Sequence, residues 1–188
     1  MSLPALNTRR LVLRPLVAAD AEAMAALGGR DFEVARWITS FSWPYEEGAA
    51  EAFVDQMLST DPLTQEAVFA ITLGGIFIGV VAIEAPGDLG EAPDCPTLGY
   101  WLGRPFQGFG YANEAVDAAL AWGFGAFRCP AIAARAYEDN RASRKLLRKQ
   151  GFKPVGMTMR FAKALDRKVP NIVMRLERSS FESRGIAA

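Results

Sequence analysis

Near the middle of the chain, the segment Gln107-Gly108-Phe109-Gly110-Tyr111-Ala112 has the residue types and spacing to hold an anion. Its small residues let backbone N–H groups come close to a ligand. The uncapped N–H groups and dipole of a helix that starts there favour negative charge. A pyrophosphate is the natural guest of such a turn. Glycines between a strand and a helix also serve as plain turn residues, so the segment alone leaves both readings open. The dinucleotide fingerprint fails, because Asn113 stands at the third glycine position, and no P-loop Gly-Lys-Ser/Thr follows. Asn140 has the residue type of a good helix N-cap.

These residues need elements to position them. Thr8 to Leu16 alternates Leu11 and Leu13 against Arg10 and Arg14, which predicts a first strand ending near Pro15. Asp20 is the expected cap of a helix to Leu27, stopped by Gly28-Gly29. Residues 31–45 read as irregular but aromatic, either core or the lining of a pocket. A helix is expected over 46–58. Val68–Leu73 and Ile76–Glu84 are β-rich runs joined by Gly74-Gly75, a two-residue hairpin turn. Residues 85–95 are a loop by composition, and Thr97–Leu102 a short strand leading into the glycine turn. From Tyr111, the residues Ala112, Ala115, Val116, Ala119 and Leu120 keep helical spacing to about Phe124. Ile132–Tyr137 is a strand, and 141–150 a helix between Asn140 and Gly151. Strands over 153–162 and 170–177 follow, then a polar tail, SSFESRGIAA, expected to fray. The order β-α-α-β-β-β-α-β-α-β-β is an α/β class with a mixed sheet.

Composition narrows the chemistry. The 188 residues are near the size of one domain, and with 51% hydrophobic and 22% charged residues the chain is an ordinary globular one. It has no histidine, and Cys95 and Cys129 are its only cysteines. Ser-His-Asp and Cys-His mechanisms and the usual zinc sites are thereby excluded, and no metal is expected. Without a histidine to activate it, Cys95 reads as a structural thiol. Equal numbers of basic and acidic residues, 21 each, argue against a nucleic-acid binder that works by bulk charge. The start, MSLPALNTRR, lacks a signal pattern, and no apolar run nears the roughly 20 residues of a membrane span, so a cytoplasmic protein with no membrane partner is expected. The zero net charge hides an asymmetry, −10 over residues 1–127 and +10 over 128–188. Two solvated faces would explain it, and so would a polyanion held by the C-terminal part.

Several stretches together resemble one family. Q-G-F-G-Y-A fits the Gln/Arg-x-x-Gly-x-Gly/Ala pattern of the GNAT acetyltransferases. N-T-R-R-L-V-L-R-P-L, L-G-Y-W-L, Y-A-N-E-A and N-R-A-S-R-K-L-L-R-K-Q-G-F are similar to the RimJ/RimL-like branch, which contains ribosomal-protein N-acetyltransferases. The likeness runs over about residues 5–177 in matching order. It implies a single GNAT-like domain over 1–178, with 179–188 as the tail, and acetyl-CoA as co-substrate. By that resemblance the edge of Tyr100, Trp101 and Leu102 pairs with the pantetheine amides, and Gln107, Gly108, Phe109, Gly110, Tyr111 and Ala112 hold the pyrophosphate. Asn140 and Ser143 meet the pantetheine arm. Arg144 or Lys145 could reach the nucleotide phosphates, unless the basic face of that helix is simply solvated. Relatives often dimerise, which makes a homodimer possible.

The sequence also departs from the family. Many relatives carry a proton-donating Tyr where this chain has Leu147, which leaves Ser143 as the remaining general acid, a role resembling one proposed for this branch. A Glu common on the strand before the turn is Thr97 here; Glu84, Asp94 and Asp166 are the candidate replacements, Glu84 foremost. A weak base suits an α-amine, which with a pKa near 7.8 is about one-tenth neutral at pH 7, far better than a lysine amine. The expected acceptor is therefore the α-amine of a protein or peptide N-terminus. A small amine (amino acid, polyamine or antibiotic) and a non-catalytic acyl-CoA-binding module are the alternatives.

Overall fold

In the computed structural model, which describes residues 3–184, eight strands form one sheet in the order β1-β2-β3-β4-β5-β6-β8-β7. The strands are β1 (Leu6–Asn7), β2 (Leu11–Pro15), β3 (Glu66–Leu73), β4 (Ile76–Glu84), β5 (Thr97–Leu102), β6 (Ala131–Tyr137), β7 (Lys153–Ala162) and β8 (Arg167–Glu177). Every neighbouring pair is antiparallel except β5 and β6, which run parallel. The helices are α1 (Asp20–Met24), α2 (Phe32–Ala35), α3 (Ala49–Ser59), α4 (Tyr111–Phe127), α5 (Arg141–Lys149) and α6 (Arg178–Arg184). A mixed sheet with helices on both faces is the architecture the sequence predicts.

Hydrophobic periodicity explains the layers. Ala115, Val116, Ala119, Leu120 and Phe124 of α4, with Leu147 of α5, pack on Leu11, Leu13, Phe69 and Ile71 on one face. Full burial of each large apolar side chain here contributes about 1.5–3 kcal/mol. On the other face Met24 of α1 and Val54 of α3 pack on Val68, Val80 and Ala82, with Trp101 against them. The hairpin turns at Gly74 and Gly75 as expected.

Four local details differ from expectation. The first strand is two, β1 and β2, because Thr8 turns the chain through its Oγ1 bonds with Leu11. Asp20 does not cap α1. It is buried, accepts from Arg14 Nη1 and Nη2 at 2.8 and 2.7 Å, and accepts the Val17 N–H. Residues 32–35 of the aromatic stretch are helical. The expected frayed tail is instead the helix α6 over 178–184: Phe181 stacks on Phe124 at 5.1 Å, and Arg178 donates to the Cys129 carbonyl at 3.0 Å. An apolar anchor and a satisfied guanidinium offset the entropy that polar composition alone would win. The rest of that tail, 185–188, lies outside the described residues. Among the described residues no helix is long and apolar enough to cross a membrane.

Candidate active site

The glycine turn adopts the geometry that an anion needs. After β5, Gly103-Arg104-Pro105 turns the chain, since Pro cannot continue a strand ladder. Gly108 and Gly110 then take left-handed φ values of +86° and +84°, so the turn requires both glycines. A Cβ at Gly108 would have nothing within 4 Å, and one at Gly110 only Arg10 Nη2 at 3.4 Å. Gly110 is the N-cap of the 17-residue α4 and offers no side-chain cap, which leaves first-turn N–H groups open to a ligand.

The turn is braced from a distant strand. Arg10 donates through Nη1 to the Phe109 carbonyl at 3.0 Å and through Nε to Glu114 at 2.8 Å, and lies over the Tyr111 ring at 4.6 Å. Thr8 Oγ1 and the Arg10 backbone N–H complete the Glu114 carboxylate's partners at 2.6 and 2.7 Å. Burial alone would raise that carboxyl, but the hydrogen bonds outweigh it and hold it below its ordinary value. Sequence reasoning missed this pair. Its only traces are the two arginines of N-T-R-R and the Glu of Y-A-N-E-A, which stand 104 residues apart. Outside the turn lies a cleft of about 700 Å³ bordered by Arg9, Arg10, Lys149 and Arg184; its acids Glu114 and Asp117 already pair with Arg10 and Arg184.

Beside the turn the sheet splits. β5 meets β6 only at Thr97↔Ala133 and Leu98↔Ala134, while its pairing with β4 continues to Leu102. From Gly99 onward the backbone edge of β5 therefore opens into a wedge, which is where the family resemblance implies a pairing edge at Tyr100 to Leu102. Gly99 is exposed although it lies in the middle of the sheet, and a Cβ there would meet nothing within 4 Å. The wedge thus opens to the sheet face opposite α4 and α5. Trp37 and Phe41 border that opening, against Tyr137 at 5.9 Å and Trp101 at 5.8 Å. Of the other aromatics in residues 31–45, Tyr45 packs against the core beneath α1 and α3, and Phe32 packs on Trp43 at 5.2 Å.

The remaining candidates fall at definite places. Asn140 caps α5 by accepting the Ser143 N–H at 3.0 Å. Ser143 Oγ lies 2.8 Å from the Tyr100 hydroxyl, whose pKa burial pushes up to about 12 while the Ser143 bond opposes the rise. Leu147, where relatives carry Tyr, is fully buried core. Trp101 turns to the α1 side against Phe41 and Phe77, so only its main chain faces the wedge. Gln107 folds its amide back on the Leu102 carbonyl at 2.9 Å and staples the turn, and Phe109 is exposed. Arg144 donates through Nη1 to the Glu138 carbonyl at 2.6 Å, while Lys145, Arg148 and Lys149 are solvated. Glu84 stands across from Thr97, two rows before the wedge opens at Gly99. Burial and Asp88 raise its carboxyl, opposed by Arg135 and Arg160. Asp94 and Asp166 lie exposed in loops, and the loop of Asp166 packs near Trp37 through Leu165. Both cysteines are buried and free, and burial raises their thiols, which makes them poor nucleophiles.

Known proteins share this fold. The chain superposes on Mycobacterium smegmatis RimJ in complex with CoA-disulfide with a TM-score of 0.81, at 20% identity, covering 98% of this chain and 94% of that one. RimL, a ribosomal L7/L12 α-N-protein acetyltransferase, superposes with a TM-score of 0.76 at 16% identity over 93% of this chain and 94% of RimL. The uncharacterized N-acetyltransferase YoaA of Bacillus subtilis (strain 168) is 28% identical over 84% of this chain and 88% of its own. Residues 10–153 match the acetyltransferase (GNAT) domain, and they contain the wedge, the glycine turn and the capped Ser143. The chain belongs to the GNAT family and is an N-acetyltransferase.

Proposed function

We propose that the protein is a cytoplasmic enzyme that moves an acetyl group directly from acetyl-CoA to the α-amine of a protein or peptide N-terminus. The observation that carries this is the wedge, open on one face to the glycine turn and on the other to solvent over Gly99. Two ligands can enter from opposite faces and meet there, so proximity and orientation supply much of the catalysis. The residues present fit the coenzyme. Gly108 leaves its Cβ space open, α4 starts without a side-chain cap, and β5 has a backbone edge to offer. When bound, acetyl-CoA supplies an activated thioester carbonyl. Ser143 is placed to meet charge on the departing sulfur. Glu84, on β4 opposite Thr97, is read as the proton acceptor, with water between.

The acceptor follows from what faces it. An α-amine is neutral often enough near pH 7 to need little help from so remote a base. The name of RimL, an α-N-protein acetyltransferase whose fold this chain shares, favours the same class. A polycation is less well served, because Arg135 stands beside the opening, and it and Arg160 lie 3.6 and 3.0 Å from Asp88 and offset its charge. The reading extends to a homodimer: β7 is an edge strand with Val155, Met157, Met159 and Phe161 exposed, a surface that a second copy would cover. The test is thiol release from acetyl-CoA over peptides with free N-termini, amino acids, polyamines and aminoglycosides. Highest kcat/KM on peptides supports the proposal; turnover confined to small amines, or CoA binding without turnover, refutes it.

A further inference from the structure

The chain places a second hydroxyl behind the one expected to serve the leaving group. Tyr100 lies on β5 two residues past its last pairing with β6, and its ring packs toward the face that carries α4 and α5. There its hydroxyl meets Ser143 Oγ at 2.8 Å, with the Ser143 carbonyl farther off at 3.4 Å. The two residues are 43 positions apart and reach each other only because β5 and α5 flank the same wedge.

We propose that Tyr100 is a positioning residue, whose hydroxyl donates to Ser143 Oγ and so leaves the Ser143 O–H to hydrogen-bond the departing thiolate. This rests on the acetyltransferase reading above and adds a residue to it. The phenol is the stronger acid of the two hydroxyls, so it is the natural donor and serine the natural acceptor. With Tyr100 donating, the serine O–H is left to point into the wedge. Asn140 holds the Ser143 backbone through its N–H, and Tyr100 holds the side chain in one of its staggered wells. Without the phenol, Ser143 is free to turn and bond a carbonyl one turn back, the ordinary habit of serine in a helix.

The proton count closes without ionising Tyr100. Transfer forms a C–N bond and breaks the thioester C–S bond. The amine gives up its proton to Glu84 or water, and the electron pair of the broken bond goes to sulfur. A thiol has a pKa near 8.5, whereas that of Tyr100 is pushed up to about 12, so moving the phenolic proton to sulfur runs uphill by about three orders of magnitude. Tyr100 keeps its proton. Ser143 meets the sulfur charge by donating a hydrogen bond, strengthened because Tyr100 donates in turn to its oxygen. Solvent protonates the thiolate afterwards.

The experiment is a double-mutant cycle with Tyr100→Phe and Ser143→Ala. Phenylalanine keeps the ring packing and removes only the hydroxyl. Tyr100→Phe is expected to lower kcat about 10-fold, the scale of one hydrogen bond, with acceptor KM and the calorimetric Kd for CoA unchanged. In the Ser143→Ala background the same change should cost less than about 2-fold. A second readout needs no turnover: the thiol of CoA bound to the protein, titrated by its ultraviolet thiolate absorbance, should have a pKa about 0.5–1 higher in Tyr100→Phe than in the parent. Parental kcat and thiol pKa in Tyr100→Phe would overturn the proposal. So would a full 10-fold loss on top of Ser143→Ala, which would show that Tyr100 acts without the serine. CoA affinity reports separately on the acetyltransferase reading.

Discussion

Aspartate in place of Gly108 sets a carboxylate beside the turn's open N–H groups, and the same change at Gly110 does so in different company. Both glycines have left-handed φ, so each variant loses about 1–2 kcal/mol of stability, with aspartate at the lower end. For a chain of this size that corresponds to a fall in Tm of about 2–4 °C per kcal/mol. The effect on the coenzyme is larger. A carboxylate about 4 Å from a phosphate oxygen, at an effective dielectric of 20, is repelled by about 4 kcal/mol. Halved for solvent exposure, this is about 2 kcal/mol, or roughly 30-fold in Kd. Gly108→Asp should show the whole of it, because nothing lies within 4 Å of its Cβ position to compensate. At Gly110 the Arg10 guanidinium is 3.4 Å from that position and can pair with the new carboxylate. About 1 kcal/mol is then left, or roughly 5-fold. Calorimetric titration with CoA at two salt concentrations, with thermal melts alongside, measures all of this, and both losses should shrink at high salt. If both folded variants bind CoA like the parent, the turn holds no phosphate. If Gly110→Asp is the weaker binder, the account of Arg10 is wrong.

Other outcomes test other parts of the site. Ser143→Ala is expected to lower turnover about 10–100-fold without changing CoA affinity, and unchanged turnover would remove Ser143 from the chemistry. Gly99→Leu should fill the opening on the acceptor face; acceptor KM should rise about 10-fold or more while CoA affinity and Tm hold, since a side chain there meets no neighbour. An unchanged KM would place the acceptor elsewhere. Burial pushes the Glu66 carboxyl from 4.5 up to about 7, with Glu84 and Asp88 adding repulsion. A carboxyl whose folded pKa is raised costs stability as pH climbs from 4.5 through 7, and the full cost remains above that. Glu66→Gln should therefore raise Tm at pH 8, by at most about 3 kcal/mol of stability, and leave it unchanged at pH 4. An equal gain at both pH values would refute the linkage.

Features that depend only on neighbouring residues are legible in the sequence itself. Asn140 caps its helix because the capping oxygen and the N–H it accepts lie three residues apart. Gly74-Gly75 turns a hairpin because only positive φ closes so short a loop, and α4 starts after Gly110 for a similarly local reason. With the family resemblance, these place the glycine turn and the strand that leads into it. Tertiary structure decides what those elements bring together. Arg10 and Glu114 brace the turn across 104 positions, and Tyr100 meets Ser143 across 43, with no periodicity to announce either pair. The wedge is a matter of register: the same six residues of β5 keep one neighbour along their whole length and lose the other after Leu98. Asp20 has the residue type of a cap but is an ion-pair partner, because Arg14 on β2 reaches it first, and a polar tail becomes α6 because Phe181 finds Phe124. Local sequence sets backbone conformation through sterics and nearby hydrogen bonds, whereas the partner of a side chain depends on which strands the fold sets side by side.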